Sequence, residues 1–541
     1  MHFRTVLPLI LLLSCTCRSP AQREAAPSAP APGELWVAPG REGSGDGSQA
    51  RPLRSLSEAL ARPGPLTVRL APGRYRGPFV LPPGTRLEGL GPGVVLEGGA
   101  PEVTVLQVGA GVAVSDVVVE GGEVGLSVAD GGQVRLARGT FRGQRLGAVR
   151  VSAGALDVEG CQFEGSPTAA VGVLIERGPS PRGDTPSDSE SAPAGATPET
   201  LDANRVAGAG ESTGAEAPPG APPGGDPHLG TQARARIRSS TFTGPYRRAV
   251  RVRGANSQVV VEDTRFSGPA TAVSVDEARA EVRRSTSEGG TAAAFSVMNG
   301  TLVLDEVKVT GHEYAVSAMQ ARELEVRRFT SVRAVRAGMG LTLSKARLRD
   351  IVVRDSGEYG GLQFMGGDVD AERVRIEGAA EYGLMAIRGK LRLRDATIER
   401  VRTSDGIAGD GLHLRQLQAD VDDVTVRDAQ GTCVLVAQDA RVSLRAANLR
   451  GCGAAGLVVD TLARLRASDV ELHGAATALG VLGEGELHVD GLTARDLVEG
   501  FVHADCGGAT QVRLRNVRTE DTRGLSAACV QREGPSPGPS K

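Results

Sequence analysis

The chain is poor in aromatic residues: Phe, Tyr and Trp together make 3% of its 541 positions, with a single Trp, Trp36. A length that suggests three or four domains at about 150 residues each would normally bring more large rings into their cores. Lysine is almost missing too, the only ones being Lys308, Lys345, Lys390 and Lys541. With 62 basic and 64 acidic residues the formal charge is −2, so no basic excess points to a nucleic-acid partner. The longest early apolar run, 6–13, falls well short of a membrane span. There is no Cys-x-x-Cys, phosphate loop, zinc motif or Ser-His-Asp spacing, and neither cofactor nor metal is expected. Hydrophobic residues still make 40%, which excludes a wholly disordered chain.

What is present is a repeat. From about Leu66 one unit recurs roughly every 21–24 residues. Gly125-Leu-Ser-Val-Ala-Asp-Gly-Gly-Gln-Val-Arg-Leu136 is echoed by Gly411-Leu-His-Leu-Arg415 and Gly456-Leu-Val-Val-Asp460. Units close on Thr140-Phe-Arg-Gly143, Gln162-Phe-Glu-Gly165, Thr241-Phe-Thr-Gly244 and Arg265-Phe-Ser-Gly268. Each reads as three short strands of period-2 alternation broken by Gly, Asp, Asn or Ser turns. A single coil cannot bury its inner face, so coils must stack. The expectation is an all-β fold, a right-handed single-stranded parallel β-helix with three strands per coil. About 17 coils at roughly 4.8 Å each would make a rod on the order of 80 Å long. The leucine-rich-repeat frame of similar length is missing.

The entry segment supports this. Leu35-Trp-Val-Ala-Pro-Gly40, Gly45-Asp-Gly47, Arg51-Pro-Leu-Arg-Ser-Leu-Ser-Glu-Ala-Leu60 and Val68-Arg-Leu-Ala-Pro-Gly-Arg-Tyr75 resemble the start of pectin-lyase-like β-helix proteins. That resemblance implies an N-terminal capping helix. Leu53, Leu56 and Leu60 sit at helical spacing, with Ser55 as its cap. The coils then run over 34–177 and 233–533. Between them 178–232 is rich in Pro, Gly, Ser and acidic residues and is expected to be a disordered insertion leaving a turn. Residues 534–541 form a second flexible end.

The first residues give an address. Residues 1–14 read as a signal peptide, and Leu12-Leu13-Ser14-Cys15 resembles the bacterial lipobox, which implies acylation of Cys15 and a membrane partner through that lipid anchor. Ordinary cleavage near Cys17 is the alternative. Thr16 after the cysteine points, by resemblance, to a cell-envelope outer-membrane lipoprotein, periplasmic or surface-facing, on a Pro/Ala-rich tether over 15–33. In an oxidising compartment Cys506 and Cys529, almost in register, are the expected disulfide. Cys433 and Cys452 on neighbouring rungs are a second candidate, and Cys161 and Cys17 look unpaired.

Alternation exposes one face of each coil's first strand. One outward column reads Ser274, Ser296, Ser317, Thr342, Gln363, Met385, His413, Leu435, Val458, and the next Asp276, Met298, Met319, Ser344, Met365, Ile387, Arg415, Ala437, Asp460. In pectin-lyase-like enzymes this face is commonly the floor of the saccharide cleft. Three constellations lie on it. Asp405, Asp410 and His413 are the candidate acid–base set, although the paired-Asp and Gly-His-Gly motifs of polygalacturonases are absent and Asp-Gly is also ordinary turn chemistry. Glu358, Tyr359, Glu381 and Tyr382, with Met385, are the candidate ligand-binding set, since sugars take aromatic faces beside acceptors. A plain aromatic ladder is the alternative. Met298, Met319 and Met365 share a column; soft thioethers suit Cu(I) but equally serve as adaptable packing. No acidic cluster of the pectate-lyase calcium kind accompanies Arg415. Two functions follow: a non-catalytic envelope rod binding a polysaccharide or envelope protein, or a polysaccharide lyase or glycoside hydrolase working near Asp410.

Overall fold

The computed structural model describes residues 33–40, 45–128, 131–176, 232–404, 406 and 408–533. The signal peptide, Cys15, the tether, the 178–232 insertion, the 534–541 tail and Asp405 lie outside the described residues, apart from Gly33 and Gln232.

Short strands separated by sharp corners wind into a right-handed parallel β-helix. Its coils are triangular, about three strands per turn over about 17 turns. The first face is built from strands such as Val124–Val128, the second from Gly132–Ala137, the third from Thr140–Arg142. Each pairs in parallel, in register, with its counterpart one coil on, Leu126 with Val149, Val134 with Leu156 and Phe141 with Phe163. Val134 and Leu136 point inward while Gln133 and Arg135 are exposed, the alternation that a strand with one buried face requires.

Corners explain why so many positions depart from ordinary strand geometry. Between the second and third faces one residue per coil takes a left-handed conformation, among them Arg138, Asp263, Arg284, Asp350 and Arg373. Its N–H still reaches the next coil, as Arg138 does to the Glu159 carbonyl at 2.9 Å, so the ladder turns the corner unbroken. Such a backbone is costly for a residue with a Cβ. Exposed ion pairs between stacked corners, Asp116 with Arg138 and Asp350 with Arg373, both at 2.6 Å, offset a small part of that cost.

The core changes character along the rod while keeping its frame. On the third face Phe141, Phe163, Phe242 and Phe266 stack inward at centroid spacings of 5.3, 4.5 and 5.1 Å. Beside them, just past the corner, sit small buried groups: Cys161, Ser240 and Thr264. Three rungs after Phe266 the pattern is reversed, with buried Phe329 past the corner and Ser331 in the neighbouring column. At the crossover both positions are serine, Ser285 and Ser287, and both are buried. The imidazole of His312 fills the gap, its Nε2 2.9 Å from Ser287 Oγ and its Nδ1 3.3 Å from the Ala292 carbonyl.

Two expectations need correction, the capping helix and the outward columns, while both expected disulfides form. The capping helix shrinks to five residues, Leu56–Leu60, and Ser55 makes no side-chain capping bond. Entry to the coil rests instead on strand Glu34–Val37 paired with Thr67–Leu70 and on buried Leu53 bridged to Val37. The outward columns also slip at one coil. Gly340 and Thr342 are the true partners of Ser317 and Met319, and Ser344 is buried, accepting from the Ala321 N–H. Of the cysteines, Cys433–Cys452 is bonded as firmly as Cys506–Cys529, each with Cα atoms 5.3 Å apart. Cys161 is free and buried, and burial pushes its thiol up to about 11.

Candidate functional site

The first face carries chemistry where the coil holding Tyr382–Ile387 meets the one holding Asp410–Arg415. Asp410 and His413 are three apart, which in a regular strand would send them to opposite sides. They meet because the strand opens on a small residue. A Cβ on Gly411 would lie 2.5 Å from the Cys433 carbonyl, so only glycine lets the chain press that close, and the alternation starts one residue late. Asp410 Oδ2 then lies 2.8 Å from His413 Nδ1, while Asp410 Oδ1 accepts the Thr432 N–H at 2.8 Å.

The carboxylate sets the tautomer. An ionised Asp410 can only accept, so Nδ1 carries the proton and Nε2 keeps its lone pair. That Nε2 is shielded from water and has no hydrogen-bond partner. Such an atom normally costs stability. The edge of the imidazole is met by the Tyr382 ring, centroids 4.9 Å apart and planes at 72°, and Met385, one rung away in the same column, is buried beside it.

The sequence-predicted groups separate into different roles. Glu381 is buried, left-handed at φ 64, and accepts both the N–H of Ser404 at 2.6 Å and the Ser404 hydroxyl. Its carbonyl accepts the N–H groups of Gly409 and Asp410. Glu381 thus holds the long turn in place, and its carboxylate is already engaged. Tyr359 lies under the Arg336 guanidinium, 5.8 Å from its ring centroid, and Tyr382 turns to His413, so each has a partner other than the mutual stack the spacing suggests. Glu358 is exposed. Asp405 lies outside the described residues.

Two contributors went unnoticed in the sequence. Ser404 and Thr432 fix the two acidic groups, but serine and threonine in turns give no signal of their own. The sequence also offers a third Glu-Tyr pair, Glu313-Tyr314, and a Cβ on Gly340 would touch the Tyr314 ring at 3.0 Å. Burial pushes the Tyr314 hydroxyl above the usual tyrosine range, with Arg336 opposing. Tyr359, Tyr382 and His413 therefore belong to successive coils, those of Gln363, Met385 and His413, and Tyr314 lies two coils before Tyr359, on the coil of Ser317. Among the described residues no group of three His, Cys, Asp or Glu side chains is placed to hold a metal ion. Met298 and Met319 are neighbours in register and both exposed.

No protein-family model matches this chain, and no curated protein matches it. Among solved structures it is similar to the catalytic unit of a thermostable GH87 alpha-1,3-glucanase from Streptomyces thermodiastaticus strain HF3-3. There identity is 11% and the TM-score 0.31, over 90% of this chain and 70% of that one. The PL6 family alginate lyase AlyGC gives 8% and 0.31, over 93% and 99%. PfbA, a surface adhesin of Streptococcus pneumoniae, gives 8% and 0.26, over 80% and 89%. Values this low leave the fold to rest on the strand registers above and carry nothing about activity.

Proposed function

We propose that the protein is a carbohydrate-active enzyme that takes a polysaccharide chain along its first face and transfers a proton through His413. The observation that carries this is the Asp410–His413 pair, with Nε2 of a Nδ1-protonated imidazole left without a partner beside the Tyr382 ring. Arg415 follows two residues along the same strand and therefore on the same side; its Nε reaches Gln438 Oε1 at 3.2 Å. One oriented base beside one cation suits β-elimination on a uronic acid better than hydrolysis, which needs two carboxylates free to act. Arg415 neutralises the sugar carboxylate. Nε2 takes the proton alpha to it, the electron pair expels the glycosidic oxygen, and the imidazolium returns the proton to that oxygen.

The test is incubation of the chain with acidic and neutral polysaccharides, following unsaturated ends by absorbance and reducing ends by colour. His413→Gln and Asp410→Asn are expected to lower the rate by about 10²–10⁴, the usual contribution of general acid–base catalysis. Reducing ends without unsaturation would replace elimination with hydrolysis, and no cleavage of any polymer would remove the enzyme reading.

A second reading has its own support. Both Asp410 oxygens and the Glu381 carboxylate are committed to local partners, as expected of a rod that binds without reacting. In that reading the tyrosines hold a polysaccharide or envelope protein, and the chain sits on the outer membrane through an acylated Cys15. No described helix is long and apolar enough to cross a membrane. Retention on one polymer without cleavage, together with labelled fatty acid on wild type but not on Cys15→Ser, would favour it.

A further inference from the structure

Over five coils the second face follows a simple electrostatic rule. One outward column runs Glu325, Arg347, Asp370, Arg392, Asp420, each in register with the next. Alternating signs about one rung apart attract across every step. After Ser443 the rule lapses: Arg466, His488 and Arg513 follow one another in the same column. The two arginines stand two rungs apart with no acid between them in the column, so the run lacks the attraction that alternation gives.

The surroundings do not cancel the charge. Among the described residues neither Arg466 nor Arg513 has a carboxylate within ion-pair distance, and Arg513 reaches only Gln511 Oε1, at 3.2 Å. Of the nearby acids, Glu486 pairs with Arg464 at 3.3 Å, Asp490 takes Asn516 Nδ2 at 2.7 Å and Arg515 at 3.9 Å, and Glu533 stands at the rim of the same cleft, so three arginines face two carboxylates there. His488 Nε2 is shielded from water and has no hydrogen-bond partner. Burial, then Arg513 and Arg466, hold its imidazole below the ordinary histidine range. Arg466, His488, Arg513 and Arg515 line one open cleft of about 350 Å³, with Asp490 and Glu533 as its acids.

We propose that this cleft is a second, non-catalytic binding site for an acidic polysaccharide, its carboxylate or sulfate groups seated on Arg466, His488 and Arg513. Two rungs separate the arginines by about 10 Å. A single small anion does not span that distance, whereas a polymer with one charged group every sugar or every second sugar does. The open cleft lets such a chain lie along the rod. A bound oxyanion gives Nε2 a partner and the arginines the counter-charge that the column lacks. The site is on a different face from His413 and does not depend on what His413 does.

Binding of the full chain to polygalacturonate and to neutral dextran, measured by affinity electrophoresis at low salt, tests this. Retention on the acidic polymer alone is expected, weakening steeply with salt. Arg466→Gln/Arg513→Gln should weaken it by about tenfold or more, as loss of two charge-assisted contacts implies. Its melting temperature should hold, since neither arginine makes an ion pair. Arg392→Gln removes the same charge from the same column, where Asp370 and Asp420 flank it, and should leave retention unchanged. No retention, equal retention on dextran, an unaffected double variant, or equal loss with Arg392→Gln would each overturn the proposal.

Discussion

Between residues 140 and 267 the third face stacks four phenylalanines inward and tucks Cys161, Ser240 and Thr264 against them. At Phe329 the large group stands past the corner beside Ser331, and after it the two columns share the volume more evenly, Ile351 with Val353 and Val374 with Ile376. The same triangular coil is therefore filled in two ways, and the sum of the two columns stays roughly constant, as close packing demands. The changeover is where the polar histidine comes inside. His312 has both ring nitrogens hydrogen-bonded in the core, whereas His413 on the outer face has one nitrogen held and the other left over. A satisfied histidine fills space; a half-satisfied one beside a carboxylate is available for chemistry.

The largest way to break this comparison is Phe242→Ala. Removing the middle of the stack should cost about 3–5 kcal/mol, read as a fall in denaturant midpoint. Enlarging the adjacent Ser240 to Val in the same chain should recover part of it if the two columns share volume. Additivity of the two changes would show that they do not.

Next is the stapled half. The Cys433–Cys452 bond closes a separation of 19 residues, and its removal by a double Ser substitution should cost about 3 kcal/mol on chain-entropy grounds. Hydrogen exchange should then quicken around 410–460 and leave the phenylalanine stack unchanged. Uniform loosening would mean that the coils do not divide into two regions.

The smallest effect is the pH dependence of the crossover. Burial lowers the affinity of folded His312 for a proton below the ordinary value of 6.5. The unfolded chain therefore binds the proton more readily, and the stability from a neutral His312 is complete above about pH 6.5 and lost as pH falls through and below it. His488 shifts the same way, so the expected observation is a shallower acid loss in His312→Gln than in wild type. Equal slopes would place the titration elsewhere.

Much of the architecture was legible because turns punctuate it. Gly143, Gly165, Gly244 and Gly268 close the phenylalanine strands in sequence as they do in space, and the strand Ala233–Arg238 pairs with Gly154–Glu159 across the long insertion as the repeat required. Legibility failed where punctuation stopped. Strand Ala337–Arg354 runs 18 residues round two corners, and Leu343, left-handed at φ 49, stands at one of them. An apolar β-strand former there gives no turn signal, so the outward columns slipped by two residues. At the site, the Glu-Tyr pattern and the Asp410–His413 spacing could be read, but the part each plays could not. Whether Glu381 faces a ligand or a turn depends on Ser404, and its contact with Glu381 forms only on folding.

The most direct test of the His413 assignment is a nitrogen-15 NMR titration of the imidazoles with an acidic oligosaccharide. The Nε2 resonance of His413 should move on saturation and that of His312 should not, with the His413 response absent in Asp410→Asn. A His413 resonance that stays fixed while the oligosaccharide binds would contradict its role.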